Sequence, residues 1–116
     1  MPGTVLVVDD EPSIRLLCRI NLELEGYRVL EAGTLAEARA AAASPDLSLV
    51  LLDLHLRNES GRVLLEELRT RTPRVPVALV TGSAELDRGD GTADATLVKP
   101  FTIGALLETV RELTSR

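Results

Sequence analysis

The chain has 116 residues, enough for one domain with a single hydrophobic core. Its net charge of -5, with one tyrosine, one phenylalanine and no tryptophan, argues against a surface that binds the phosphates or stacks on the bases of a nucleic acid. A single cysteine, Cys18, rules out an internal disulfide and fits a reducing compartment.

Strand and helix patterns alternate from the start of the chain. Thr4–Val8 is a short β-branched run, which predicts a strand covered on both faces. Apolar residues at helical spacing over residues 13–25, followed by Gly26 as a C-cap, predict the first helix. Residues 27–32 then predict a second strand.

The alternation continues to the last residues. Thr34 and Glu37 form a capping box, which predicts a helix that extends to about Ala43. Further strands are predicted at residues 47–53, 77–82 and 95–98, a loop at residues 54–61, and helices at residues 63–69 and 103–113. Five strands alternating with helices predict an α/β fold with one doubly wound parallel sheet and right-handed crossovers.

Polar side chains stand where four of these strands end. Asp9 and Asp10 follow the first strand, Asp53 ends the third, Thr81 lies near the end of the fourth, and Lys99 follows the fifth. Each has an ordinary explanation by itself, such as an acidic pair at a helix N-terminus or a solvated lysine. Ligands of open α/β sheets bind beyond the carboxyl ends of the strands, so the joint placement of these groups predicts a site.

Four segments at these strand ends resemble the receiver domain of two-component response regulators. They are VLVVDDEPS, LVLLDLHL with Gly61 eight residues after Asp53, VALVTGS, and LVKPF. The resemblance covers essentially the whole chain, and residues 1–116 are interpreted as one receiver domain. It implies a flavodoxin-like fold and a switch that takes a phosphoryl group from a phosphohistidine of a sensor histidine kinase or a histidine phosphotransfer protein.

The resemblance also implies that the crowded acids bind Mg²⁺. Asp10 would bind the ion directly and Asp9 mainly through water, while Asp53 and the His55 backbone carbonyl would supply further oxygens. Magnesium prefers an octahedral shell of oxygens that keeps several waters. Because like charges crowd together there, we expect at least one carboxyl to have a raised pKa without the metal.

In the same family pattern, Asp53 is the nucleophile and forms an acyl phosphate. Lys99 and the metal would supply positive charge, and the Thr81 hydroxyl and the Gly82 backbone N–H would hold phosphoryl oxygens. The resemblance implies a cis peptide bond between Lys99 and Pro100. It makes the domain a switch that catalyses its own phosphorylation and slow dephosphorylation, and not a turnover enzyme.

Three features depart from the family pattern. Arg57 stands where the family usually has proline, which leaves the rigidity of that loop open. Thr96 stands where an aromatic residue is usual. The interval between Thr81 and Lys99 is short and glycine-rich, so we expect a fourth helix that is shortened or missing, with one turn or less over residues 84–93. Dimerisation through that face should then be poor.

Two alternative functions stay open at this point. A metal-dependent phosphohydrolase would also form an aspartyl phosphate, but such enzymes typically have a second carboxylate where His55 stands. A degenerate receiver would act only as a binding module. The sequence does not identify the downstream protein target or output domain, and we expect no direct nucleic-acid binding. No apolar run approaches the roughly 20 residues of a membrane span and the first residues lack a signal-peptide pattern, so we expect a cytoplasmic protein without membrane contact.

Overall fold

The structure is a computed structural model that describes residues 3–82 and 93–115. Its elements, in chain order, are β1 (Thr4–Val8), α1 (Pro12–Leu24), β2 (Arg28–Ala32), α2 (Leu35–Ala42), β3 (Leu47–Leu52), β4 (His55–Leu56), β5 (Glu59–Ser60), α3 (Arg62–Arg69), β6 (Val77–Thr81), β7 (Ala95–Val98) and α4 (Ile103–Thr114). The five predicted strands of the sheet and the four predicted helices are confirmed, with ends that differ by at most one residue, whereas β4 and β5 were not predicted.

Five of the strands form one parallel sheet in the order β2-β1-β3-β6-β7. The chain moves from β1 to β2 on one side and then crosses to β3 on the other side of β1. The order therefore reverses between β1 and β3, which makes their carboxyl ends the switch point of the sheet. The predicted doubly wound, flavodoxin-like α/β fold is confirmed.

Both faces of the sheet are covered by helices, which explains why its strands are apolar throughout. Along β1, Leu6 and Val8 point into a core shared with α2 and α3, whereas Val5 and Val7 point into a core shared with α1 and α4. The two-residue period of a strand sends successive side chains to opposite faces. The sheet is thus the rigid middle layer, and its edge of carboxyl ends is held from both sides.

The capping signals act nearly as the sequence predicts. The Thr34 hydroxyl accepts a hydrogen bond from the Glu37 N–H at 3.1 Å, and the Glu37 carboxylate accepts one from the Gly33 N–H at 2.8 Å. The second bond reaches one residue further back than a capping box does. Gly26 has φ of 95° just after α1, a left-handed conformation that favours glycine.

The segment from residue 54 to residue 61 is not the loop that the sequence predicts. His55 pairs with Ser60 and Leu56 with Glu59 in an antiparallel hairpin. Leu56 is buried in the core beneath it. A strand of two residues is too short to show an alternating pattern, so its apolar anchor and its pairing could not be recognised in the sequence.

The hairpin turn explains why proline is absent at position 57. Arg57 has φ of 46°. A proline ring fixes φ near about -65°, so proline could not adopt this conformation. Strand pairing therefore holds the loop, with a left-handed residue at its turn in place of the proline that is usual in the family.

Two further expectations concern the region after β6. The shortened or missing fourth helix was expected over residues 84–93, and all of these except Ala93 lie outside the described residues. The Lys99–Pro100 bond is cis, as the resemblance implies, and so is Thr72–Pro73. Within residues 3–82 and 93–115, no helix combines the length and the hydrophobicity needed to cross a bilayer.

We predict that Gly61→Ala destabilises the domain by about 1–3 kcal/mol, as expected for overpacking. A Cβ at Gly61 would collide with the Asp53 carbonyl oxygen and lie 3.0 Å from the Leu54 Cα. Both are backbone atoms that cannot move without shifting the hairpin. Urea denaturation measures the change.

Gly104→Ala is the matched control. A Cβ there would meet only the Thr102 hydroxyl oxygen, at 3.9 Å, and it lies in α4, where alanine is favoured over glycine by up to about 1 kcal/mol. Equal stability of the two variants would contradict the close approach at Gly61.

Candidate functional site

The backbone ladder continues past the strand ends and fixes the predicted site residues. The Asp9 N–H donates to the Ala32 carbonyl at 3.0 Å, and the Asp53 N–H donates to the Val8 carbonyl at 3.0 Å. The Lys99 N–H donates to the Thr81 carbonyl at 2.8 Å. These bonds join the residues that follow β1, β3 and β7 to the last residues of the neighbouring strands β2, β1 and β6, so the functional side chains start from a rigid edge.

The Lys99 ammonium group contacts three acidic side chains at this edge. Lys99 Nζ lies 2.8 Å from Asp9 Oδ2, 3.1 Å from Asp53 Oδ2 and 3.4 Å from Glu11 Oε1. The Asp9 and Asp53 side chains are only 2% and 8% exposed, so these two carboxylates are shielded from water. Buried charges need such pairing, because an isolated carboxylate is strongly destabilised by the loss of water.

The predicted metal ligands come together as a cluster. Carboxylate oxygens of Asp9, Asp10 and Asp53 all lie within 4.8 Å of one another. Backbone donors orient two of them: Asp9 Oδ1 accepts from the Glu11 N–H at 2.9 Å, and Asp53 Oδ1 accepts from the His55 N–H at 2.8 Å. An oriented set of hard oxygen donors with excess negative charge fits a divalent cation such as Mg²⁺. The His55 carbonyl as a further ligand stays a prediction.

Burial and nearby charges shift the pKa values of Asp9 and Lys99. Burial raises the pKa of the Asp9 carboxyl, although the hydrogen bond from Lys99 and the Glu11 N–H oppose the shift. Burial works to lower the pKa of Lys99, but its hydrogen bonds to Asp9 and Asp53 and the charges of both carboxylates outweigh burial, so the pKa is raised. Lys99 is therefore a permanent cation at neutral pH, and the expectation of a raised carboxyl pKa holds for Asp9.

Thr81 differs from its neighbours because its hydroxyl is buried without a partner. Thr81 is 2% exposed, and its Oγ1 has no hydrogen-bond partner among the described residues. Such a group costs about 1–3 kcal/mol unless a ligand satisfies it. Its position at the end of β6 fits a hydroxyl that binds an incoming oxygen. Gly82 follows it directly, and the role of its N–H stays a prediction.

The structure adds two residues that the sequence interpretation missed as parts of the site. Arg15 Nη1 donates to the Asp9 carbonyl oxygen at 2.5 Å, while its Nε lies 3.2 Å from Glu31, so α1 is attached to the end of β1. The Arg57 N–H donates to Asp10 Oδ2 at 3.1 Å, and its Nε lies 3.8 Å from the same oxygen. Only the departure from proline marked Arg57 in the sequence.

Cys18 lies outside the site chemistry. It is buried on α1, and burial raises the pKa of its thiol to about 12. A thiol with such a pKa is protonated at neutral pH and is not a nucleophile. The interpretation of Cys18 as a core residue agrees with its place among Val5, Leu22 and Leu49.

Comparison with known proteins identifies the class to which this fold and site belong. The family model for the response regulator receiver domain matches residues 5–111. The chain therefore belongs to the response regulator receiver domain family. It is a signalling switch of two-component systems, as its sequence predicts, and neither alternative function is favoured by its relatives.

Curated relatives give the same result. The master transcriptional regulator RpaA of Synechocystis is 38% identical over 120 residues, which cover 97% of this chain and 49% of the relative. The transcriptional regulatory protein KdpE of Escherichia coli is 38% identical over 110 residues, which cover 92% of this chain and 49% of the relative. The chain spans about half the length of the curated relatives it matches.

Solved structures match the fold closely. The response regulator TrrA of Thermotoga maritima, described as a complex with Mg²⁺-BeF, has a TM-score of 0.84 at 35% identity and covers 95% of this chain and 97% of its own. A CheY-like receiver domain protein of Methanospirillum hungatei has a TM-score of 0.87 at 33% identity and covers 97% of this chain and 93% of its own.

We predict that Asp9→Asn raises the melting temperature near neutral pH, measured in EDTA, by a few degrees. The folded-state pKa of Asp9 lies above its ordinary value of 3.8, so the folded state binds more protons than the unfolded state. Stability is then lost as the pH rises above about 3.8 through the folded pKa. The difference between Asp9→Asn and the parent should disappear at pH values below that window.

Asp46→Asn provides a control of opposite sign. Hydrogen bonds from Ser44 and Thr4 lower the pKa of Asp46, so its charge stabilises the fold above its ordinary pKa and that stability is lost as the pH falls. This variant should melt at a lower temperature than the parent near neutral pH. If both variants shift in the same direction, the assigned electrostatics are wrong.

Proposed function

We propose that Asp53 accepts a phosphoryl group from a phosphohistidine of a sensor histidine kinase or a histidine phosphotransfer protein, and that this step depends on Mg²⁺. The observation that carries the proposal is the position of Asp53. Its carboxylate is buried at the switch point, lies 3.1 Å from the Lys99 ammonium and shares a cluster with Asp9 and Asp10. TrrA, which is 35% identical and has the same fold, is described with Mg²⁺ bound.

The residues present assign the parts of the transfer. A carboxylate oxygen of Asp53 attacks phosphorus, the bond from phosphorus to the donor imidazole breaks, and the imidazole nitrogen keeps the electron pair. The His55 N–H holds the other oxygen and so orients the attack. Lys99 offsets the negative charge brought together when a phosphoryl group meets a carboxylate.

Asp9, Asp10 and Asp53, with the His55 carbonyl, would hold Mg²⁺, which when bound supplies positive charge to the phosphoryl oxygens. The buried Thr81 hydroxyl donates to one phosphoryl oxygen and thereby gains the hydrogen bond it otherwise lacks. The Gly82 N–H donates to another. Phosphorylation then satisfies a buried polar group, and this links the chemistry at Asp53 to the end of β6.

The alternative functions have weaker support. A phosphohydrolase would use an acid or base carboxylate two residues after the nucleophile, where this chain has His55. A degenerate receiver would lack some of these site residues, whereas here Asp9 and Asp53 are present and both contact Lys99.

The output of the domain is proposed to be a change in protein contacts. RpaA and KdpE are named as transcriptional regulators and are about twice as long as this chain. The net charge of -5 argues against nucleic-acid binding by the domain itself, which supports an effect of phosphorylation on a protein target or an attached output domain.

Incubation with acetyl phosphate and Mg²⁺ should add one phosphoryl group, detected by intact-mass spectrometry. Asp53→Asn should abolish the addition, because the amide is not a nucleophile. Asp46→Asn removes a carboxylate outside the site and should label like the parent. Undiminished labelling of Asp53→Asn would refute the proposal.

Thr81→Val should separate stability from chemistry. Valine has the same shape but no hydroxyl, so the unphosphorylated domain should be as stable or up to about 2 kcal/mol more stable, while phosphorylation slows by at least about tenfold. Thr81→Ser keeps the hydroxyl and should retain the parent rate. A stabilised Thr81→Val variant with the parent rate would exclude the hydroxyl from the reaction.

A further inference from the structure

Each acid of the cluster contacts a positively charged side chain, but Asp10 contacts a different one from Asp9 and Asp53. Asp9 and Asp53 contact Lys99 at 2.8 and 3.1 Å. Asp10 instead contacts Arg57, through the backbone N–H at 3.1 Å and the guanidinium Nε at 3.8 Å. Both Arg57 contacts are made to one oxygen, Asp10 Oδ2.

The hairpin turn makes this contact possible. Arg57 occupies the left-handed turn position between His55–Leu56 and Glu59–Ser60, with φ of 46°. A proline there would have no N–H to donate and no charge. The contact to Asp10 is therefore a property of this residue and not of every loop of the same length.

We propose that Arg57 sets the affinity of the site for divalent cations by competing for Asp10. This inference rests on the proposed function, which makes Asp10 a ligand of Mg²⁺. An oxygen that accepts a hydrogen bond from the Arg57 N–H and faces its guanidinium is less available to an ion. The guanidinium charge also repels a divalent cation that approaches Asp10, so Arg57 weakens metal binding.

The size of the effect follows from exposure. The Arg57 side chain is 78% exposed and Asp10 is 21% exposed, so water screens much of the interaction. Exposed ion pairs of this kind correspond to a factor of roughly two to five in an equilibrium constant. Salt at about 1 M shortens the screening length to roughly 3 Å and should remove most of the effect.

A charge series at position 57 tests the proposal. Arg57→Lys keeps the charge, Arg57→Asn removes it, and Arg57→Asp reverses it, while asparagine and aspartate both tolerate the left-handed conformation. Mg²⁺ affinity is measured by calorimetric titration at low salt. We expect Arg57→Lys to bind within about twofold of the parent, Arg57→Asn roughly two- to fivefold more tightly, and Arg57→Asp more tightly still.

The same three substitutions at Arg69, an exposed residue that ends α3, control for net charge and should leave the affinity unchanged. The rise in melting temperature on adding Mg²⁺ is a second readout and should increase in the same order. The spread among the position 57 variants should collapse at about 1 M salt.

Two results would overturn the inference in different ways. If the parent binds Mg²⁺ and Arg57→Asn binds with the parent affinity or more weakly, the competition at Asp10 is refuted and the proposed function stands. If the parent binds no Mg²⁺ at all, the proposed function fails and the inference fails with it.

Discussion

The contact of the Lys99 ammonium with Asp9 and Asp53 is the interaction on which the rest of the site depends. Two buried carboxylates from neighbouring strands would repel each other and lose their solvation. Lys99, which follows the edge strand β7, supplies a positive charge that contacts both side chains. Burial still raises the pKa of Asp9, so one lysine does not fully offset its loss of solvation. Asp9 and Asp53 share this one ammonium, which leaves an excess of negative charge that a divalent cation would neutralise.

The sheet topology determines which residues can take part in this interaction. The strand order reverses between β1 and β3, and ligands of open α/β sheets bind beyond the carboxyl ends of the strands at such a switch point. The bond from the Asp53 N–H to the Val8 carbonyl fixes the end of β3 beside the end of β1, so Asp53 lies next to Asp9 along the edge of the sheet. Cores on both faces make that edge rigid, which gives Asp53 a defined position relative to Lys99.

The hairpin after β3 adds a contact to the site, while the contacts of Asp9 and Asp53 with Lys99 stay as the family pattern implies. Gly61 lies close to the Asp53 carbonyl, which places the hairpin next to the end of β3, and Arg57 at its turn contacts Asp10. Arg57 thus contacts the most exposed acid of the cluster, whereas the buried acids Asp9 and Asp53 contact Lys99. The acidic cluster therefore makes two kinds of contact: Asp9 and Asp53 contact the lysine that the family pattern includes, and Asp10 contacts an arginine that departs from that pattern.

The alternation of elements, the parallel sheet and the acids at the strand ends could be predicted from the sequence, because buried strands need continuous apolar runs and polar residues follow where those runs end. Resemblance in four segments then assigned roles to Asp53, Thr81 and Lys99. The sequence could not predict which acids contact Lys99, that Arg57 contacts Asp10, or that the Thr81 hydroxyl is buried without a partner among the described residues. These facts depend on distances between side chains from distant parts of the chain and on a two-residue hairpin, and neither leaves a periodic signal in the sequence.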